Sequence, residues 1–197
     1  MPLRYFQTSD GEQHAAWAQS PNSRFTVAWR DSDGVATGGA RRNGEGKIWL
    51  FDGTREVARV SCQRPNDGSV ADNGTFCIAD WLFTEKLSSK FLVFSSTGEV
   101  LIDKKLSANL NTCAISFNGL FAAAHTCNSL SKKYCNALIL FDVATKQEIW
   151  TDHPPFWPHQ IAFNVERREV VIHQNPAQSQ SPLLSCVYTL HAPTSAA

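Results

Sequence analysis

Asp80 and His125 are the two positions whose side chains could do proton chemistry. Each closes an apolar run, Cys77-Ile78-Ala79-Asp80 and Ala122-Ala123-Ala124-His125. A carboxylate and an imidazole within reach of each other form an acid–base pair. The same pair could equally be a buried hydrogen bond that locks two layers together. A second cluster, Asp152-His153-Pro154-Pro155-Phe156-Trp157-Pro158-His159, holds two histidines and two aromatics in a segment stiffened by three prolines. Phe156 and Trp157 could anchor a partner there, with His153 and His159 as polar neighbours. Alternatively, both aromatics pack inside while the prolines only shape the connection. The stretch from Asp31 to Gly46 carries five glycines and the pair Arg41 and Arg42, which could grip a carboxylate. It lacks the Gly-Lys-Ser/Thr ending of a phosphate-binding loop, so the alternative is a solvated loop.

Other chemistries find no support. His125, Cys127 and Cys135 are separated by one and seven residues, and no second close pair of ligands accompanies them, so no metal site is expected. No Gly-x-Ser-x-Gly elbow and no His-Glu-x-x-His motif is present. No cofactor is expected. The sequence therefore points to a non-catalytic binding module, with an enzyme acting on a sugar or polar metabolite as the alternative. A self-assembling structural unit is a third possibility.

The elements that position these residues follow from composition and pattern. The 197 residues balance 18 basic against 18 acidic side chains, which argues against electrostatically driven nucleic-acid binding. A hydrophobic fraction of 43% supports a packed core, and no apolar run is long enough for a membrane helix. The first ten residues hold no stretch suited to a signal peptide, so a cytoplasmic protein is expected. The six cysteines are expected to be free thiols, since a chain of this length needs no disulfide staples. The expected partner is a protein or small molecule, with neither nucleic acid nor membrane, and the chain is expected to be a monomer or homodimer.

Two motifs repeat in step. Ser20-Pro21-Asn22-Ser23-Arg24-Phe25, Ala71-Asp72-Asn73-Gly74-Thr75-Phe76 and Ser116-Phe117-Asn118-Gly119-Leu120-Phe121 each separate two apolar runs, with a weaker copy around Asn164. Their asparagines are 51, 45 and 46 residues apart. Ile48-Trp49-Leu50-Phe51-Asp52, Phe91-Leu92-Val93-Phe94-Ser95 and Leu138-Ile139-Leu140-Phe141-Asp142 follow in the same order, with phenylalanines 43 and 47 residues apart. The runs are short, rich in β-branched and aromatic residues, and bounded by Gly, Asn, Asp, Ser and Pro, as strands are.

Four strands in about 45 residues resemble a blade of the WD-repeat or YVTN-like β-propeller proteins. The Phe-Asp pairs at 51–52 and 141–142 sit where such repeats end their third strand, although the recurring Gly-His and Trp-Asp dipeptides are missing. The resemblance implies an all-β, four-bladed β-propeller over 1–197. Its blades would span about 14–62, 68–106, 111–151 and 158–190. The fourth blade has three strands of its own, and residues 3–7 would add the missing outer one, closing the ring. A β-sandwich, or a half-propeller that dimerises, uses the same strands. In a propeller the long connections, including 31–46, 126–135, 152–158 and 175–182, fall on one face, which is therefore the expected binding face.

Overall fold

The computed structural model describes residues 2–32, 43–83, 86–174 and 184–190. Sixteen strands form four antiparallel sheets, each a contiguous piece of chain, with no helix among the described residues. The first sheet contains β1 (Leu3–Thr8), β2 (Gly11–Gln19), β3 (Phe25–Arg30), β4 (Gly46–Asp52) and β5 (Arg55–Cys62). The second contains β6 (Pro65–Val70), β7 (Phe76–Trp81), β8 (Ser89–Phe94) and β9 (Val100–Leu106). The third contains β10 (Leu110–Ile115), β11 (Phe121–Thr126), β12 (Leu138–Asp142) and β13 (Gln147–Asp152). The fourth contains β14 (Pro158–Asn164), β15 (Glu169–Gln174) and β16 (Ser185–Thr189).

The sheets stack face to face in sequence order because the middle strands carry apolar residues on both faces. Side chains alternate between the two faces of a strand, so each middle strand serves two neighbours. Ile78 packs with Val27, Trp29, Ile48 and Leu50 of the first sheet. Cys77 and Ala79, on the opposite face, pack with Ala122, Ala124, Ile139 and Phe141 of the third. Leu138 and Leu140 of that third sheet turn the other way, toward Ile161, Val170 and Ile172 of the fourth. Phe91 and Phe141 meet across the second boundary with ring centroids 5.2 Å apart.

The repeated asparagines clip the sheets together. The backbone N–H of Asn22 donates to Asp72 Oδ1 at 2.8 Å, and Asn73 Nδ2 donates to the carbonyl of Asn118 at 3.1 Å. The Asp72 N–H also donates to the Phe117 carbonyl at 2.8 Å. Each turn has a left-handed residue one place after its asparagine: Ser23 (φ 62°), Gly74 (φ 82°) and Gly119 (φ 74°). The glycine in the second and third copies meets that demand without cost.

Irregularities in the ladders repeat as well. One extra residue bulges from the fourth strand of the first three repeats, at Val57, Leu101 and Ile149. Another bulges near the start of the first strand in the last three repeats, at Asn66, Asn111 and His159.

Residues 3–7 do not complete the fourth sheet, contrary to the repeat count. They form β1, which pairs with β2 through Leu3↔Ala16 to Thr8↔Gly11. The reason is local. Ser9 and Asp10 make a two-residue turn closed by Gly11 at φ 88°, and so short a loop carries far less closure entropy than a junction across the whole chain. The hairpin then folds back over the free face of the first sheet. Phe6 packs with Ala28, Trp49 and Phe51, its ring 5.3 Å from that of Phe51. At the hairpin tip Asp10 bridges Lys47 (2.9 Å) and Arg59 (2.6 Å), and the Ser9 N–H donates to Glu56 at 2.8 Å. The Lys47 hydrogen bond, aided by the Arg59 charge, holds the Asp10 carboxyl below its usual range. Among the described residues no apolar cluster joins the fourth sheet to the first.

Candidate functional site

The first strands of the last three sheets and the end of β2 in the first meet around a cavity of about 350 Å³. That volume is within the range of small-ligand sites. Its polar wall comes from the bulges. Asn66, Asn111 and His159, the extra residues of β6, β10 and β14, all line it. A bulge re-aims a side chain without breaking the strand, and here three sheets do so at one repeat-equivalent position.

Each bulged residue is held by the next sheet or left open to the cavity. Asn111 Nδ2 donates to the Pro158 carbonyl at 2.8 Å, which leaves its amide oxygen unused. The side chains of Asn66 and His159 make no hydrogen bond among the described residues. Beside Asn66, the Asp67 carboxylate accepts from Thr112 Oγ1 (2.8 Å) and from the Cys113 N–H (3.0 Å). Burial raises the Asp67 carboxyl above its usual range, and those two donors oppose the shift.

The first sheet contributes Trp17 and Trp29. The indole N–H of each is buried and has no hydrogen-bond partner among the described residues. A buried donor without an acceptor is costly, roughly 1–3 kcal/mol. Gly68 makes room for one of them: a Cβ there would come within 3.0 Å of Trp29 Cζ3 and 2.8 Å of Ile78 Cδ1. The wall thus offers the Asn66 amide, the His159 imidazole and the Asn111 amide oxygen, beside the Asp67 carboxylate and with no lysine or arginine.

Of the residues singled out from the sequence, His159 lies in this cavity and the other described ones do not. Asp80 and His125 are both buried, and no hydrogen bond joins them. They do not pair as acid and base, and no Asp80–His125 bond joins two sheets. Asp80 Oδ1 accepts the Arg64 N–H at 2.6 Å and so holds the connection between β5 and β6. Burial raises its carboxyl, with the Arg64 N–H and the Cys62 thiol acting in the opposite sense. His125 bonds through Nε2 to Asn136 Oδ1 at 2.9 Å, and Asn136 Nδ2 donates to the Pro154 carbonyl at 2.8 Å. Its Nδ1 is buried without a partner. Burial lowers its pKa to about 4, against the Asn136 hydrogen bond.

The proline-rich connection is therefore pinned from inside. His153 Nδ1 donates to the Cys135 carbonyl at 2.9 Å. Phe156 is buried against the third and fourth sheets. Trp157 remains 40% exposed, its ring edge-on to His125 at 6.4 Å. Arg41 and Arg42 lie outside the described residues. All six cysteines are unpaired. Among the described residues, no helix is long and apolar enough to cross a membrane.

The sequence reading missed Asn66, Asn111, Trp17 and Trp29 as site residues. A signal for two of them was present: Pro65-Asn66-Asp67, Leu110-Asn111-Thr112 and Pro158-His159-Gln160 recur 45 and 48 residues apart. Nothing in the sequence marks their extra residue as a bulge.

No family model matches the chain, and no curated protein matches it. Among 418 matching chains of solved structures is the hydrazine synthase of Kuenenia stuttgartiensis. It aligns with a TM-score of 0.58 at 12% identity, over 88% of this chain and 45% of that one. The chain thus spans less than half the length of that structure, and the likeness is one of fold.

Proposed function

We propose that this chain is a non-catalytic recognition module, an arc of four β-propeller blades whose axial cavity takes a small, neutral, polar ligand. The propeller reading rests on three four-strand repeats and a fourth of three strands, at a period of about 46 residues, stacked in order with their first strands innermost. The observation that carries the function is the convergence of three repeat-equivalent bulges on one cavity, with Asn66, Asn111 and His159 on its wall. A ligand with hydroxyl or carbonyl oxygens can bond the Asn66 amide and the His159 imidazole. The missing cationic side chains favour a neutral molecule over an anion. Sugars and polyols have this chemistry. The enzyme alternative loses its acid–base candidates, because Asp80 and His125 each hold a connection in place.

The test is a titration with a panel of neutral monosaccharides, disaccharides and polyols, followed by tryptophan emission. At least one compound is expected to perturb the emission saturably. Asn66→Ala and His159→Ala are expected to weaken that compound about tenfold each, the effect of one lost hydrogen bond, with unchanged melting temperature. Silence across the whole panel, or full affinity in both variants, overturns the assignment.

A further inference from the structure

Resting on the recognition role proposed for the axial cavity, we infer that the cavity selects its guest by the hydrogens the guest donates. Asp67 is the specificity-determining residue, and a pair of adjacent hydroxyls is the group it takes.

Asp67 stands one place after the bulged Asn66 on β6 and lines the cavity. An ionised carboxylate accepts at about four lone-pair sites and donates at none. The protein fills three of them at most. Thr112 Oγ1 and the Cys113 N–H both bond to Oδ2, and the Gly68 N–H also faces the group. Capacity for a further donor is left over. No lysine or arginine on the wall neutralises the charge.

Thr112 completes the acceptor pair. A hydroxyl has a single hydrogen, and Thr112 gives its own to Asp67. Toward anything else in the cavity, Thr112 Oγ1 can only accept. That oxygen is 2.8 Å from Asp67 Oδ2, one place after the bulged Asn111 on β10. Two acceptors side by side, each following a bulge in successive sheets, match hydroxyls on two adjacent carbons. The unused amide oxygen of Asn111 is a third acceptor beside them. The bonds that fix Asp67 also join the second sheet to the third, so the pair is held in place before a guest arrives.

The opposite chemistry is penalised. A carbonyl, ether or carboxylate oxygen brings only lone pairs. Set against Asp67 and Thr112, it adds one more acceptor with no hydrogen to share, which is repulsive. Burial already raises the Asp67 carboxyl, and every donated hydrogen opposes that shift. A hydroxyl donor gains from this corner of the wall what a pure acceptor loses.

D-Glucose, D-galactose and D-mannose, each titrated beside analogues with fluorine in turn at each ring hydroxyl, test the inference by tryptophan emission. Fluorine keeps the ring and removes one hydrogen donor. For a sugar that binds, fluorine at two adjacent carbons is expected to weaken binding about tenfold at each, with little change elsewhere. Asp67→Asn keeps an oxygen for Thr112 and Cys113 but turns an NH2 donor to the guest. That variant is expected to bind the parent sugar about tenfold more weakly and to lose the penalty at one of the two carbons. Thr112→Val is expected to lose the penalty at the other, and Thr112→Ser, which keeps the hydroxyl, to retain both. The scan on the unaltered protein decides the matter even where a variant fails to fold. Equal binding of every analogue overturns the inference and leaves the recognition reading standing. So do penalties confined to one carbon or to carbons that are not neighbours, or an Asp67→Asn protein that keeps the full pattern. Silence from all three sugars overturns the inference too, and only silence from the wider panel overturns the recognition reading with it.

Discussion

Acidification should unfold this protein partly through one histidine. His125 is fully buried, its Nε2 proton is committed to Asn136, and its Nδ1 faces no acceptor. A second proton would therefore sit on a buried nitrogen with nothing to receive it. The folded pKa is lowered from 6.5 to about 4. The unfolded chain consequently binds a proton that the folded one refuses. Stability from this group is complete above pH 6.5 and is lost as the pH falls toward 4. Between pH 7.5 and 5 the linkage relation gives a loss of about 2 kcal/mol. Asp67 and Asp80 act in the opposite sense, since burial raises their carboxyls and acid then favours the folded state. A comparison of slopes removes them. Urea unfolding of the parent and of His125→Gln, each at pH 7.5 and pH 5, supplies the four free energies. The variant is expected to lose about 2 kcal/mol less than the parent on acidification, whatever its starting stability. Equal losses in the two proteins would refute the assignment of His125 as a buried neutral imidazole.

Two further outcomes concern the turns. Ser23 holds φ 62° where the next two repeats use glycine, so Ser23→Gly should stabilise the fold by about 0.5 kcal/mol, read as a higher urea midpoint. Gly119→Ala places a Cβ within 2.6 Å of Asn73 Nδ2 at φ 74°, which strains the turn and disturbs the clip to Asn118. That variant should lose about 1–3 kcal/mol in the same assay.

The strands were legible because each middle strand is buried on both faces and so reads as an unbroken apolar run. Ile48 to Phe51 and Leu138 to Phe141 are examples. The asparagine spacing was legible for a related reason: Asn22, Asn73 and Asn118 meet the same turn geometry in three successive copies. What the sequence concealed was pairing choice. Leu3-Arg4-Tyr5-Phe6-Gln7 suits an outer strand of the fourth sheet as well as a hairpin with β2, and only the short Ser9–Asp10 turn and the contact of Phe6 with Phe51 decide between them. The site was partly legible. His159 was read from its proline-rich neighbourhood, while Asn66 and Asn111 sit in plain polar contexts, and their importance depends on an extra residue in each strand. Asp80 and His125 stand at the same place in β7 and β11, where each holds a connection.

A residue outside the hydrogen-bonded ladder answers to fewer constraints than its neighbours. Asn66, Asn111 and His159 each stand in that position, with the pairs on either side left to keep the register. The cavity can therefore change its chemistry one side chain at a time while the architecture stays put. Three repeat-equivalent positions on one cavity wall make a small combinatorial lock, in which divergence between copies of the repeat alters chemistry without altering shape.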